Sequence, residues 1–104
     1  MQKVKVTRWK RTGKPTLGLL EKELIAEGLD PNLFTSNPGD AYPDHSHPYD
    51  EVRVMVKGRM RFVIGKERFV LNPGDRIEFL KNTVHSAEVD GEQIAVMLTA
   101  SKKS

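Results

Sequence analysis

Cysteine is absent from this chain of 104 residues, which excludes disulfide staples, zinc–thiolate sites, iron–sulfur clusters and thiol nucleophiles. No apolar run approaches the roughly 20 residues that a membrane-spanning helix requires. The opening Met1-Gln2-Lys3-Val4-Lys5-Val6 lacks the continuous apolar stretch of a secretory signal. These absences point to a cytoplasmic protein with no membrane partner. What is present is an ordinary globular mixture, 38% hydrophobic and 30% charged, with a net charge of +3. A disordered chain would be less apolar and more one-sided in charge. The length suits one domain, assigned to residues 1–104 with its core over about 33–100.

Acidic residues are missing from the first 14 positions, where six basic ones fall: Lys3, Lys5, Arg8, Lys10, Arg11 and Lys14. A basic arm can bind nucleic acid by releasing counterions. It also serves as an edge strand kept from aggregating by its Lys and Arg side chains. Aromatic residues are few and scattered, and no nucleic-acid-reading motif accompanies the charge. The edge strand is therefore the expectation, and nucleic acid is not the expected partner.

Residues 3–9 alternate with the period of two of a half-buried strand. A helix is predicted over 16–27. Thr16 can cap its start, and Leu17, Leu20 and Leu24 recur at spacings of three and four. Gly28 stands at C′ with Leu29 behind it, and Pro31 prevents resumption. Beyond the helix the punctuation is all-β. Asn37-Pro38-Gly39-Asp40 reads as a turn, and the same four residues return as Asn72-Pro73-Gly74-Asp75. Strands are expected over 51–56, 59–64, 67–71, 76–80, 83–89 and 92–100, with breaks at Lys57-Gly58 and Gly65-Lys66. Asp90-Gly91 predicts a two-residue hairpin between the last two. Eight or nine short strands in all imply a sandwich or barrel.

Three histidines carry the chemical interest: His45, His47 and His85. His45 and His47 are two apart at a strand end, so both imidazoles point to one face, with Cα atoms roughly 6.5–7 Å apart. That spacing suits two nitrogens converging on one cation at about 2.0–2.2 Å each. A turn at Pro48-Tyr49-Asp50 brings Glu51 back beside them. Nitrogen plus carboxylate ligation suits Fe, Mn, Co, Ni, Cu or Zn and not Ca or Mg. The alternative is that the pair is polar surface decoration. Its setting argues for the metal, since Gly39, His45, His47, Glu51 and Gly58 stand in one fixed register. Random sequence would produce that register with a probability well below about one in a thousand.

The spacing G-x5-H-x-H-x3-E-x6-G resembles the first motif of the cupin superfamily at every defining position. The second motif, G-x5-P-x-G-x2-H-x3-N, is half present. Gly74 and His85 fit it, whereas Leu80, Asn82 and Val89 replace its Pro, Gly and Asn. Asn82 reaches the left-handed region more readily than most residues, so the turn into His85 can survive. The similarity covers about residues 39–89. It implies an all-β double-stranded β-helix, a jelly-roll barrel here carrying one short N-terminal helix. It further implies one divalent transition metal held by His45, His47, Glu51 and His85, with open positions for water, dioxygen or substrate. As in many small cupins, pairing of the N-terminal strand in a homodimer is expected.

Strand parity then sends Arg53 and Met55 to the same inner face as Glu51, with Val52, Val54 and Val56 outward. An inward Arg either meets an anionic small-molecule ligand through paired N–H donors or bridges to Glu51. Met60, Phe62 and Ile64 share a face of the next strand. Arg53, Met55 and Phe62 are thus the candidate substrate-binding residues, with Met55 and Phe62 also readable as simple barrel lining. A lining poor in other titratable groups favours chemistry done mainly by the metal. The resemblance allows an oxygenase, an isomerase or a decarboxylase; a non-catalytic ligand- or metal-binding module is the alternative.

Overall fold

Alternation in the sequence becomes two facing antiparallel sheets in the computed structural model, which describes residues 3–102. Residues 1, 2, 103 and 104 of the assigned domain lie outside that range. The larger sheet runs β1 (Val4–Thr7), β7 (Arg76–Phe79), β4 (Asp50–Lys57), β9 (Ala95–Lys102) and β2 (Asn32–Ser36). The smaller runs β3 (Ala41–His45), β8 (His85–Val89), β5 (Met60–Ile64) and β6 (Glu67–Leu71). Successive strands from β3 to β5 and from β7 to β9 cross between sheets, giving the all-β jelly roll expected.

Period-two alternation sorts the core. Met55, Met60, Phe62, Leu71, Ile77, Phe79 and Met97 fill the space between the sheets. On the other side of the larger sheet, Val52, Val54 and Leu98 pack against Leu20 and Leu24 of the single helix, α1 (Leu17–Ala26). Each buried leucine contributes roughly 1.5–3 kcal/mol, and that docking face is what keeps a ten-residue helix folded. No acidic residue lies in its first turn and no basic one in its last, so charge does not compensate its dipole. Its ends are closed as expected. The Thr16 side chain accepts from Leu19 N, and Gly28, at φ 85°, completes a Schellman motif through Leu29 N to Leu24 O and Gly28 N to Ile25 O.

The repeated Asn-Pro-Gly-Asp segments fold alike. In each, the Asp backbone N–H donates to the Asn carbonyl, and the Asn N–H donates to the Asp carboxylate at 2.8 or 2.9 Å. The second turn also fastens the N-terminal segment. Buried Asp75 accepts from Trp9 N at 2.8 Å and from Arg8 Nη1 at 2.9 Å. The Trp9 ring lies so close over Gly74 that a Cβ there would fall 2.6 Å from the indole. Trp9 therefore caps the core.

One expected turn is not a hairpin. Asp90-Gly91 follows β8, but β8 and β9 lie in different sheets, so the segment is a crossover. Asp90 donates its backbone N–H to Arg59 O, and its carboxylate takes Arg61 Nη2 at 2.9 Å. These bonds hold the loop on β5, and residues 92–94 are loop where strand was expected.

Candidate metal centre

Where the two sheets part, β3, β4 and β8 bring the three histidines and Glu51 together. His45 ends β3 directly opposite His85, which opens β8, after an irregularity between Tyr42 and His45. A bulge of this kind re-aims a side chain. His47 lies in the following loop, whose carbonyl accepts from Asn82 N at 2.7 Å. Asn82 has φ 64° and is the one positive-φ residue other than glycine among the described residues. Asn82 thus does at this turn what the cupin glycine would do, and it ties the His47 loop to the turn that delivers His85.

Ligand nitrogens of His45, His47 and His85 all lie within 4.8 Å of one another, the group among the described residues able to hold a metal ion. Their other nitrogens are committed. Nδ1 of His45 bonds Pro43 O at 2.8 Å, Nδ1 of His85 bonds Thr83 O at 2.9 Å, and Nδ1 of His47 lies 3.3 Å from Tyr49 Oη. A carbonyl accepts, so Nδ1 of His45 and His85 carries the proton and Nε2 presents a lone pair. Nε2 of His85 is buried without a hydrogen-bond partner, and Nε2 of His47 is buried with Glu51 Oε1 3.0 Å away. An orphaned buried acceptor such as His85 Nε2 costs stability unless something fills the space between the three rings. A divalent cation would, and the donor set fits one.

Burial holds the His85 imidazole below its ordinary pKa, with His45 and Arg53 acting in the same sense against the Thr83 carbonyl and Glu51. A neutral imidazole is the form that ligates metal. Phe79 stacks on His85 at 4.2 Å and 9°, fixing the ring plane.

Glu51, on β4, is 7% exposed and stands outside the histidine group, with Oε1 3.0 Å from His47 Nε2. Its Oε2 accepts from Arg53 Nε at 3.2 Å and Nη2 at 3.0 Å. Of the two readings of Arg53, the bridge to Glu51 is present. The cavity above the histidines has a volume of about 650 Å3, and Arg53 lines it with Glu51, His45 and His47. Met55 and Phe62 do not. Both are fully buried in the core between the sheets, beneath the cavity. In their place the walls carry Asn32, Phe34, Tyr42, Tyr49, Thr99 and Ser101, with Asp30 also among the lining residues. Spacing along the chain gave no signal for most of these, because they come from β2 and β9 at opposite ends of it. Tyr49, inside the motif, was within reach as the residue two past His47.

The fold is shared with known proteins. The family model described as Cupin domain matches residues 32–101. A cupin superfamily protein from Desulfitobacterium hafniense superposes with a TM-score of 0.65 at 13% identity, over 97% of this chain and 78% of its own. A protein from Ralstonia eutropha, provisionally named a mannose-6-phosphate isomerase, gives a TM-score of 0.65 at 25% identity over 75% of this chain and 77% of its own. The DMSP lyase DddQ from Ruegeria pomeroyi gives 0.66 at 22%, over 73% of this chain but only 39% of the lyase. No curated protein matches the sequence. With its motif histidines converged in a jelly roll and the family model spanning both sheets, the chain belongs to the cupin family.

Proposed function

We propose that this cupin is a metal-dependent enzyme acting on a small anionic molecule, with His45, His47, His85 and Glu51 as the ligands of one divalent transition ion (Fe, Mn, Co, Ni, Cu or Zn). The observation that carries it is the convergence of three imidazole nitrogens, that of His85 buried and unpartnered. Such an ion supplies Lewis-acid polarisation of a bound carbonyl or hydroxyl, or a centre for dioxygen.

The chain's own groups prepare the site. Backbone carbonyls of Pro43 and Thr83 fix the tautomers of His45 and His85. Arg53 takes Oε2 of Glu51 and so leaves Oε1 turned toward His47. The guanidinium also offers the positive charge that draws an anionic ligand. Met55 and Phe62 form the dry layer under Arg53, Phe62 lying 5.9 Å below its guanidinium carbon. Among the lining residues the titratable groups left over are Asp30, Tyr42 and Tyr49, with no spare histidine or glutamate, which favours oxygenase, isomerase or decarboxylase chemistry centred on the ion. The lyase and isomerase names of the structural neighbours support the same range. We place the activity in a cytoplasmic homodimer.

Elemental analysis of protein purified without a histidine tag tests the reading. About one equivalent of a first-row ion is expected, lost in His47→Ala and His85→Ala while both variants stay folded. Protein that holds no ion and takes up none of Fe2+, Mn2+, Co2+, Ni2+, Cu2+ and Zn2+ overturns it.

A further inference from the structure

Beside the histidines, the larger sheet carries a polar row that the metal ligands do not use. Thr99 on β9 is paired with Asn32 on β2 and with Arg53 on β4, and Ser101 is paired with Glu51. Directly opposed residues in a sheet share a face, and Asn32, Thr99, Arg53 and Ser101 all line the cavity. The following row, Phe34, Met97 and Met55, is apolar. The polarity is therefore confined to the part of the wall nearest Glu51.

Each group in the row selects a partner. Arg53 spends Nε and one N–H of Nη2 on Glu51, which leaves the end-on edge of the guanidinium, Nη1 with Nη2, uncommitted. Paired parallel donors of that kind match a carboxylate. The neighbouring Thr99 hydroxyl can donate to the same carboxylate. Asn32 and Ser101 both donate and accept, as ligand hydroxyls require. Asp30, when ionised, only accepts, so it favours an O–H and repels a second carboxylate. Arg53 and Asn32 are two strand spacings apart, roughly 9–10 Å. Carboxylate and hydroxyl recognition are thus set at two places along one row.

We infer that the cavity takes a hydroxylated monocarboxylic acid, its carboxylate on Arg53 and Thr99 and its hydroxyls on Asn32, Ser101 and Asp30. The inference rests on the functional reading above. It makes Thr99 and Asn32 specificity-determining residues, and the carboxylate end lies nearest Glu51 and the histidines.

Calorimetric titration of the Co2+-loaded protein with D-gluconate, hexanoate, adipate and glucose tests it. Gluconate is expected to bind at least about tenfold more tightly than the other three. Thr99→Val and Asn32→Ala should each weaken gluconate about three- to tenfold; Asn32→Ala should leave hexanoate affinity unchanged, and both should leave Co2+ stoichiometry unchanged. Hexanoate or adipate binding as tightly as gluconate overturns the inference, as do wild-type gluconate affinity in both variants and the absence of gluconate binding to Co2+-loaded protein. If Co2+ is not retained, the same titration on metal-free protein decides. Gluconate binding there supports the polar row and counts against the metal alone, and its absence overturns both.

Discussion

His47 is held differently from its two companions. Backbone carbonyls orient His45 and His85, and a backbone cannot rotate away; His47 relies on the hydroxyl and stacked ring of Tyr49, 38% exposed and 5.2 Å from it centre to centre. Tyr49→Phe keeps the ring and deletes the hydroxyl. Removing an outer-shell partner costs roughly 10–100-fold in metal affinity, so competition with a chelator should show about tenfold weaker Co2+ binding at unchanged stability of the metal-free protein. Unchanged affinity would mean that stacking alone positions His47. Tyr49 also marks where the sequence stops being informative about the site. Histidine and glutamate positions follow from a fixed spacing because one short segment, the end of β3, its loop and the start of β4, carries three of the four. Asn32, Thr99 and Ser101 reach the same cavity through strand pairing across the molecule, which no local spacing encodes. Parity placed Arg53, Met55 and Phe62 on the inner face correctly, but parity cannot say how deep along a strand the cavity ends, and Met55 and Phe62 lie below it.

At the scale of elements, α1 is joined to the larger sheet by charge as well as by leucines. Glu27, just past the helix, accepts from Arg76 on β7 at 2.6 and 2.8 Å; Arg76 approaches Glu78, which pairs with Lys102 on β9 at 2.7 Å. The hydrogen bond from Arg76 keeps Glu27 below its ordinary value of 4.5 against a smaller opposing effect of burial. Burial is the largest single influence on Glu78 and raises it, but Lys102 and Arg76 together outweigh that and leave it lowered. A carboxylate whose folded pKa is depressed stabilises the fold above its unfolded value and loses that contribution as pH falls through the folded one. The chain should therefore lose stability as pH drops from near 4.5 downward, and Arg76→Gln should flatten that dependence in thermal melts taken across this range. Equal slopes for the two proteins would show that the ladder is solvated and contributes nothing. Elements were legible where caps and turns are local, as at Thr16, Gly28 and the two Asn-Pro-Gly-Asp turns. They were not where one local pattern serves two purposes. Asp90-Gly91 has the chemistry of a hairpin turn, yet whether the next strand returns beside β8 or crosses to the other sheet depends on long-range pairing. Asn32–Ser36 has no alternation to announce it and is a strand because β9 lies beside it.

The whole molecule leaves β1 at the edge of the larger sheet. Lys3 O accepts from Leu80 N, so alternation along the β1–β7 ladder directs the N–H and C=O groups of Val4 and Val6 outward. An open edge of that kind either adds a strand from a second copy or is guarded by charge, and Lys3 and Lys5 are placed to guard it. For the proposed homodimer to form through β1, Val6→Pro, which deletes an outward donor, should convert dimer to monomer in sedimentation equilibrium; a wild-type monomer would assign the lysines to protection alone. The jelly roll itself was legible because turn punctuation and a two-part motif span half the chain, whereas assembly leaves no such trace. Function turns on whether the jelly roll gathers its histidines around one ion. Anomalous scattering from crystals of the Co2+-loaded protein, recorded at the cobalt edge, measures this directly. The predicted result is one peak about 2.0–2.2 Å from Nε2 of His45, His47 and His85 together, with Glu51 Oε1 adjoining it. A cobalt peak bound elsewhere, or one that leaves the buried His85 nitrogen unshared, would contradict it.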